Sequence, residues 1–323
     1  MITRIGVLTS GGDAPGMNSC IRAVVRTAIY RGCKVMGIKR GYAGLLDQEL
    51  EEMKMRSVSN IIQRGGTILK TSRCKEMFER EGRAKAGRIL RANDIDGLVV
   101  IGGDGSFHAA HAISEEEKIP VIGIPGTIDN DLYGTDFTIG YDTAIDTAMN
   151  MIDKIRDTAA SHDRLFFIEV MGHHSGFIAL DVGVAGGAEG ILIPEHEFDI
   201  SALCDQILKS VQKGKTSNII VVAEGKHPGH TFELARKVKD KIGIEHRVCI
   251  LGHVQRGGIP SPRDRVLATK LGFAAVNALV DGKEGVMAGE INGQISFTNL
   301  ENTWTKKKSI DANLLEVSRI MAL

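Results

Sequence analysis

Apolar residues fall in short runs along this chain. Glycine, proline or a stretch of helical spacing separates each run from the next. Runs of about four to eight apolar residues bounded by turn formers read as buried strands. Such runs start near Ile5, Cys33, Gly97, Ile119, Leu165, Gly190, Asn218 and His246. Apolar positions three and four apart predict helices over 17–31, 141–158, 199–213, 230–241 and 261–281. Strand and helix signals therefore alternate, which predicts an α/β fold of mainly parallel sheets flanked by helices. There is no repeat of fixed period and no low-complexity linker. A divide near residue 139 is expected, because Thr138-Ile139-Gly140 precedes a long helix and a second βα series follows.

With 323 residues the chain can bury a large core and is expected to form two packed domains. Its 40 basic and 40 acidic residues cancel, so no net field points to nucleic acid or to an anionic membrane. A phosphorylated ligand must then be held by locally placed arginine and lysine. Glycine is abundant, at 38 residues, and aromatic residues make up only 5%. Many tight turns suit an α/β enzyme better than a β-sandwich. Cys20, Cys33, Cys74, Cys204 and Cys249 are odd in number and scattered, without a CxxC pair. That argues against a zinc site or a disulfide framework. The first residues enter a strand at once and lack the layout of a signal peptide. No apolar run approaches about 18 residues. A reducing cytoplasm is the expected setting.

Three glycine turns carry the candidate chemistry. Gly102-Gly103-Asp104-Gly105-Ser106 follows the run 97–101, and Pro125-Gly126-Thr127-Ile128-Asp129-Asn130-Asp131 follows the run 119–124. Both should sit at the carboxyl ends of neighbouring strands, where open α/β sheets place ligands. The segment 5–18 adds a third strand, glycine turn and helix start. It lacks the spacing of a P-loop and of GxGxxG, yet offers free amides to an anion. Amides together with Asp104, Asp129 and Asp131 suit a phosphate, a divalent cation and a proton to be removed, the needs of phosphoryl transfer. Each part has a plainer reading. Asp104 could cap a helix starting near Ser106. Asp129 and Asp131, at i and i+2, read equally as an Asx turn.

Six segments in register carry a resemblance: LTSGGDAPGMN (8–18), RGGTILKTSR (64–73), GGDGS (102–106), PGTIDND (125–131), EVMG (169–172) and LGHVQRGG (251–258). The chain resembles the bacterial-type ATP-dependent 6-phosphofructokinases, which phosphorylate fructose 6-phosphate at its 1-position. The resemblance implies the phosphofructokinase fold. An ATP-binding domain would span 1–139 plus about 252–303. A fructose 6-phosphate-binding domain would span 140–251 plus about 304–323. It implies Mg²⁺ and ATP, a homotetramer with shared active sites, and a glycolytic role.

The same resemblance implies residue roles. Asp129 would be the base that takes the sugar hydroxyl proton, with Thr127, Asp131 and Arg73 as catalytic neighbours. Gly12, Arg73, Cys74, Gly103, Gly105 and Ser106 would contact ATP, and Asp104 would hold the metal. Thr127, Ile128, Asp129, Arg164, Met171, Gly172, His173, Glu224, Arg247, His253 and Arg256 would form the sugar phosphate site. Arg164 and Arg247 would reach it from a neighbouring subunit. Arg22, Arg26, Arg156, Gly187, Glu189, Lys213 and Lys215 match positions for an ADP or phosphoenolpyruvate effector. Guanidinium suits these tasks because its fork bonds two phosphate oxygens at once.

Three positions depart from the pattern. His173 stands where the family usually carries Arg, and an imidazole is only partly charged near neutral pH. A family effector arginine is Met55 here, with Arg56 beside it. Cys74 replaces an aromatic that often flanks adenine. Pyrophosphate-using relatives tend to carry Asp at Gly105 and Lys at Gly126, so both glycines favour ATP. A pyrophosphate-dependent enzyme and a non-catalytic regulatory subunit are the alternatives. The retained Asp104 and Asp129 argue against the second. A dinucleotide oxidoreductase is weaker still, since GxGxxG is missing.

Overall fold

The computed structural model describes residues 2–161, 165–215, 218–225, 227 and 229–322. Two compact units divide the chain. Met1–Ile128, Leu132–Thr143 and Arg256–Lys308 make the first, and Asp129–Asp131, Ala144–Gln255 and Ser309–Leu323 the second.

In the first unit the apolar runs form β1 (Arg4–Thr9), β2 (Lys34–Ile38), β4 (Gly97–Gly102) and β5 (Val121–Pro125), and β3 (Leu50–Met53) forms without one. Between them lie α1 (Met17–Tyr30), α2 (Gly41–Leu46), α3 (Arg80–Ala92) and α4 (Asp104–Glu117). The chain crosses to the second unit within α5 (Tyr141–Ala160). There it forms β6 (Leu165–Val170), α6 (Phe177–Ala185), β7 (Gly190–Leu192) and α7 (Ile200–Gln212). β8 (Asn218–Ala223), α8 (His230–Ile242) and β9 (His246–Ile250) follow. It returns with α9 (Pro262–Val280), β10 (Val286–Ile291), β11 (Gln294–Asn299) and α10 (Asn302–Thr305), and ends in α11 (Ala312–Met321) of the second unit.

The first sheet has strand order β11-β10-β5-β4-β1-β2-β3. Its five inner strands run parallel, and β3 and β11 are antiparallel edges. The second sheet, β7-β8-β6-β9, is parallel throughout. β4 (GLVVIG) and β8 (NIIVVA) are buried along their whole length, so both faces must be apolar. Each buried valine or isoleucine contributes about 1.5–3 kcal/mol. Leu8, Ile38, Leu90, Leu98, Phe107 and Ile113 centre one core. Phe167, Ile207, Ile220, Leu234 and Val238 centre the other.

Helix ends follow local chemistry. Ser261 caps α9 by accepting from the Asp264 amide, with Pro262 in the first turn. Asp199 and Asp311 cap α7 and α11 in the same way. α1 packs along α9 so closely that a Cβ on Gly272 would lie 2.7 Å from the Ala23 Cβ. α4 starts at Asp104 behind an extended Gly103, two residues before the start expected near Ser106. Asp104 is thus a first-turn residue rather than the cap. No helix among the described residues is long and apolar enough to cross a membrane. The five cysteines are free thiols.

Candidate active site

The parallel register β1–β4–β5 brings three strand ends together, as the two apolar runs at 97–101 and 119–124 predict. The Ser10 amide donates to the Ile101 carbonyl at 3.0 Å, and the Gly126 amide to the Gly102 carbonyl at 2.9 Å. The turns meet around Gly102. A Cβ there would stand 2.6 Å from both the Ser10 carbonyl oxygen and the Ser106 Oγ. A Cβ on Gly11 would stand 3.4 Å from the Ser106 Oγ, and one on Gly103 would stand 3.9 Å from the Thr127 Cβ. Gly12 lies against Arg256, whose guanidinium would be 2.6 Å from any Cβ and donates to the Asp13 carbonyl at 3.4 Å. The Thr71 hydroxyl donates to the Gly11 carbonyl at 2.7 Å. Glycines at these points keep a rim of backbone open at the N-terminus of α4, where amides and the helix dipole favour an anion. Ile128 is buried.

Asp104 is exposed at this helix start, and its Oδ1 accepts from the Gly105 amide at 2.6 Å. Among the described residues no cluster of three or more His, Cys, Asp or Glu is poised to cage a metal. One solvent-facing carboxylate beside free backbone amides suits a Mg²⁺, which is usually held by one or two carboxylates plus phosphates. Arg73 is exposed. Cys74 is half-buried, 3.3 Å from Glu76, and burial with this neighbour pushes its thiol up to about 11. It stays a protonated, unreactive wall. Cys74, Leu46, Asp47, Glu76, Lys85 and Arg88 border a cleft of about 470 Å³ near α2 and α3.

The second unit builds its own strand-end site. Glu224 follows β8, and its amide donates to the Val170 carbonyl at 2.8 Å. Its carboxylate accepts from the amides of Gly172 at 3.3 Å and His173 at 2.5 Å. This pair of bonds holds the turn after the buried Met171, with His173 in a left-handed conformation at φ 56°. The Ser175 hydroxyl lies 2.8 Å from the Gly172 carbonyl and 3.1 Å from that of Asp129. Asp129 and Asp131, both half-buried, belong to this unit. Met171, Gly172, His173, Glu224 and Asp129 therefore form one connected group. Arg247 is exposed on β9, where its guanidinium donates to the His246 carbonyl at 3.0 Å. His253 is exposed on the helical turn after β9. Arg164 lies outside the described residues.

Sequence reasoning missed a histidine-rich cleft of about 820 Å³ beside this group. His173, His174, His196, His227 and His230 line it with Glu224. The rings of His173 and His174 lie 3.9 Å apart, those of His227 and His230 5.7 Å apart. The signal was legible in principle, since the histidines follow the ends of β6, β7 and β8.

The expected effector residues separate into groups. Arg22 and Arg26 lie one turn apart on α1 of the first unit. In the second unit Arg156 donates to the Gly186 carbonyl and lies 3.4 Å from that of Gly187. Glu189 is buried, pairs with Lys215 at 2.6 Å and accepts from the Ile219 amide. Lys213 ends α7.

Known proteins resemble this chain over most of its length. The model of the family described as Phosphofructokinase matches residues 4–279. ATP-dependent 6-phosphofructokinase 1 of Thermus thermophilus is 56% identical over 320 residues, 99% of either chain. ATP-dependent 6-phosphofructokinase of Clostridium botulinum is 52% identical over 318 residues, 98% of this chain and 99% of its own. The solved phosphofructokinase of Saccharomyces cerevisiae superposes with TM-score 0.90 at 36% identity. It matches 99% of this chain, which spans about half, 48%, of the yeast chain. A pyrophosphate-dependent phosphofructokinase from Marinobacter aquaeolei superposes with TM-score 0.85 at 26% identity, over 97% of this chain and 86% of its own. The α/β architecture, the glycine rim and the full-length match together place this chain in the phosphofructokinase family.

Proposed function

We propose that the chain is an ATP-dependent 6-phosphofructokinase. It transfers the γ-phosphoryl group of ATP to the 1-hydroxyl of fructose 6-phosphate, giving fructose 1,6-bisphosphate and ADP. The observation that carries the choice of donor is the glycine rim of the first unit. Gly105 leaves open space where a pyrophosphate-using relative would place a carboxylate. The likeness to relatives named for ATP dependence, over 99% of the chain, agrees with it.

In this reading the rim from Gly11 to Ser106, with Arg73, receives the nucleotide phosphates through amides and a guanidinium. Asp104 would hold a Mg²⁺ bound with the nucleotide, and that ion would offset phosphate charge. Asp129 accepts the proton of the attacking hydroxyl, and Asp131 orients it. Thr127 donates to the group in transit. Glu224 binds the sugar indirectly, by fixing the Gly172–His173 turn. Arg256, held against Gly12, and His253 complete the phosphate contacts. The setting is a cytoplasm with glycolytic flux.

Arg164 and Arg247 would complete the site of a neighbouring subunit in a homotetramer. The exposure of Arg247 supports this. Asp129→Asn and Arg247→Ala, each poorly active alone, should regain activity when their subunits are mixed and reassembled. No regain despite proven exchange rejects shared sites. An ADP or phosphoenolpyruvate effector would use Arg22, Arg26, Arg156, Gly187, Glu189, Lys213 and Lys215.

The reading is tested by a coupled assay with fructose 6-phosphate at matched magnesium. ATP should support turnover, and comparable or greater turnover with pyrophosphate would sink the claim. A further prediction concerns His173. His173→Arg should keep activity and lower KM for fructose 6-phosphate, because a guanidinium fork bonds two phosphate oxygens at once. An unchanged or raised KM would remove this position from phosphate recognition.

A further inference from the structure

Asp264 is a carboxylate that no part of the chemistry above uses, yet it is only 1% exposed. It stands in the first turn of α9 and points at the start of α5. Its Oδ1 accepts from the Gly140 amide at 2.8 Å. Its Oδ2 accepts from the Thr143 amide at 2.9 Å and the Thr143 hydroxyl at 2.5 Å. The carboxylate thus meets two helix N-termini, its own and that of α5, and both dipoles favour a negative charge. Burial pushes its carboxyl above the usual carboxylate range, against the pull of the Thr143 and Gly140 bonds. Burying a charge costs several kcal/mol unless its oxygens are satisfied. Such a group holds something specific.

What it holds is one residue from the rim. Ile139 donates its amide to the Pro125 carbonyl at 2.9 Å and bridges to Gly126. The Thr138 hydroxyl donates to the Thr127 carbonyl at 2.6 Å. Gly140, at φ 102°, lies so near the first glycine loop that a Cβ would stand 2.6 Å from the Ala14 Cβ. A Cβ on Gly16 would stand 3.5 Å from the Asp264 Cβ. Segment 138–143 therefore touches both the turn that carries Thr127 and the loop after Gly12, and Asp264 fastens it. Ser261 locks the same joint, donating its hydroxyl to Asp142 at 2.6 Å and its amide to the Thr143 hydroxyl at 2.9 Å.

We infer that Asp264 is a positioning residue, which holds Thr127 and the first glycine loop in register for phosphoryl transfer by clamping Gly140 and Thr143. The inference rests on the proposed kinase reading. Misplacement of a reacting group by about 1 Å costs about 10²-fold in rate. Asp264→Asn keeps the volume and loses the charge and one acceptor. At a temperature where the variant is fully folded, its kcat should fall at least about tenfold. Its KM for ATP and fructose 6-phosphate should stay within about threefold. Amide exchange over 125–143 should quicken while that of 97–102 stays slow. A kcat within about twofold of wild type in the folded variant overturns the inference, whatever the exchange shows. So does a loss of activity that only follows the unfolded fraction. If Asp264→Asn does not fold, Thr143→Val takes its place, and unchanged kcat and exchange in that protein overturn it equally. Failure of the kinase reading shows instead in wild type, as no turnover with ATP. The exchange over 125–143 then decides for or against the clamp by itself.

Discussion

Asp129→Asn should lower the turnover number by roughly 10²–10⁴-fold, the usual worth of a positioned general base. A sugar hydroxyl is a poor nucleophile and must shed its proton as the phosphoryl group moves. Asparagine keeps the shape of aspartate and cannot accept that proton. The contact from the Ser175 hydroxyl goes to the main-chain carbonyl of Asp129, so the substitution leaves it in place. KM for both substrates should therefore change far less than kcat. Steady-state kinetics on the purified variant decide the point. A variant within a few-fold of wild type refutes the role and leaves Asp131 or a water to explain the proton.

Gly105→Asp should separate stability from activity. Gly105 lies in the first turn of α4, its φ is ordinary, and nothing stands within 4 Å of the place a Cβ would take. The fold has room for the side chain. Replacing a helical glycine with aspartate gains only about 0.3 kcal/mol in propensity, and an acid in the first turn adds about 0.3–1 kcal/mol. The melting temperature should rise slightly. Turnover with ATP should collapse by on the order of 10²-fold, because a carboxylate on the rim meets phosphate oxygens of like charge without a hydrogen bond to offset it. Full ATP turnover in the variant would remove Gly105 as the mark of the donor. Gly126 offers no such clean experiment. A Cβ there would press on Ile101 at 2.9 Å and Met17 at 3.1 Å, so fold and function would suffer together.

The eight strands that periodicity exposes are those with long apolar runs, and most lie inside the sheets. Three strands escaped it. β3 reads LEEM, β10 reads VMAGEI, and β11 alternates only weakly across an exposed edge. Two of them need a partner on one side only, so their faces carry little pattern. α3, with sequence REGRAKAGRILRA, hides its apolar stripe among charges and glycines. The glycine turns were legible because phosphate chemistry confines residue type and spacing. Asp264 was not, since its meaning arises only where α9 meets α5, 124 residues away along the chain. The cleft histidines likewise gain sense only when β6, β7 and β8 lie side by side.

The order in which the first sheet is completed has a consequence during synthesis. Val286 of β10 pairs with Ile122 of β5, and every residue of the second sheet lies between them in sequence. On the ribosome, β1, β2, β4 and β5 emerge long before β10 and before α9, the helix that packs on α1. Until then β5 presents an unpaired, wholly apolar edge, the kind of surface that invites pairing with another chain. Contacts of such long sequence separation also form slowly. Nascent chains stalled before residue 256 should need chaperone protection, and they lack Arg256, the side chain that lies against Gly12.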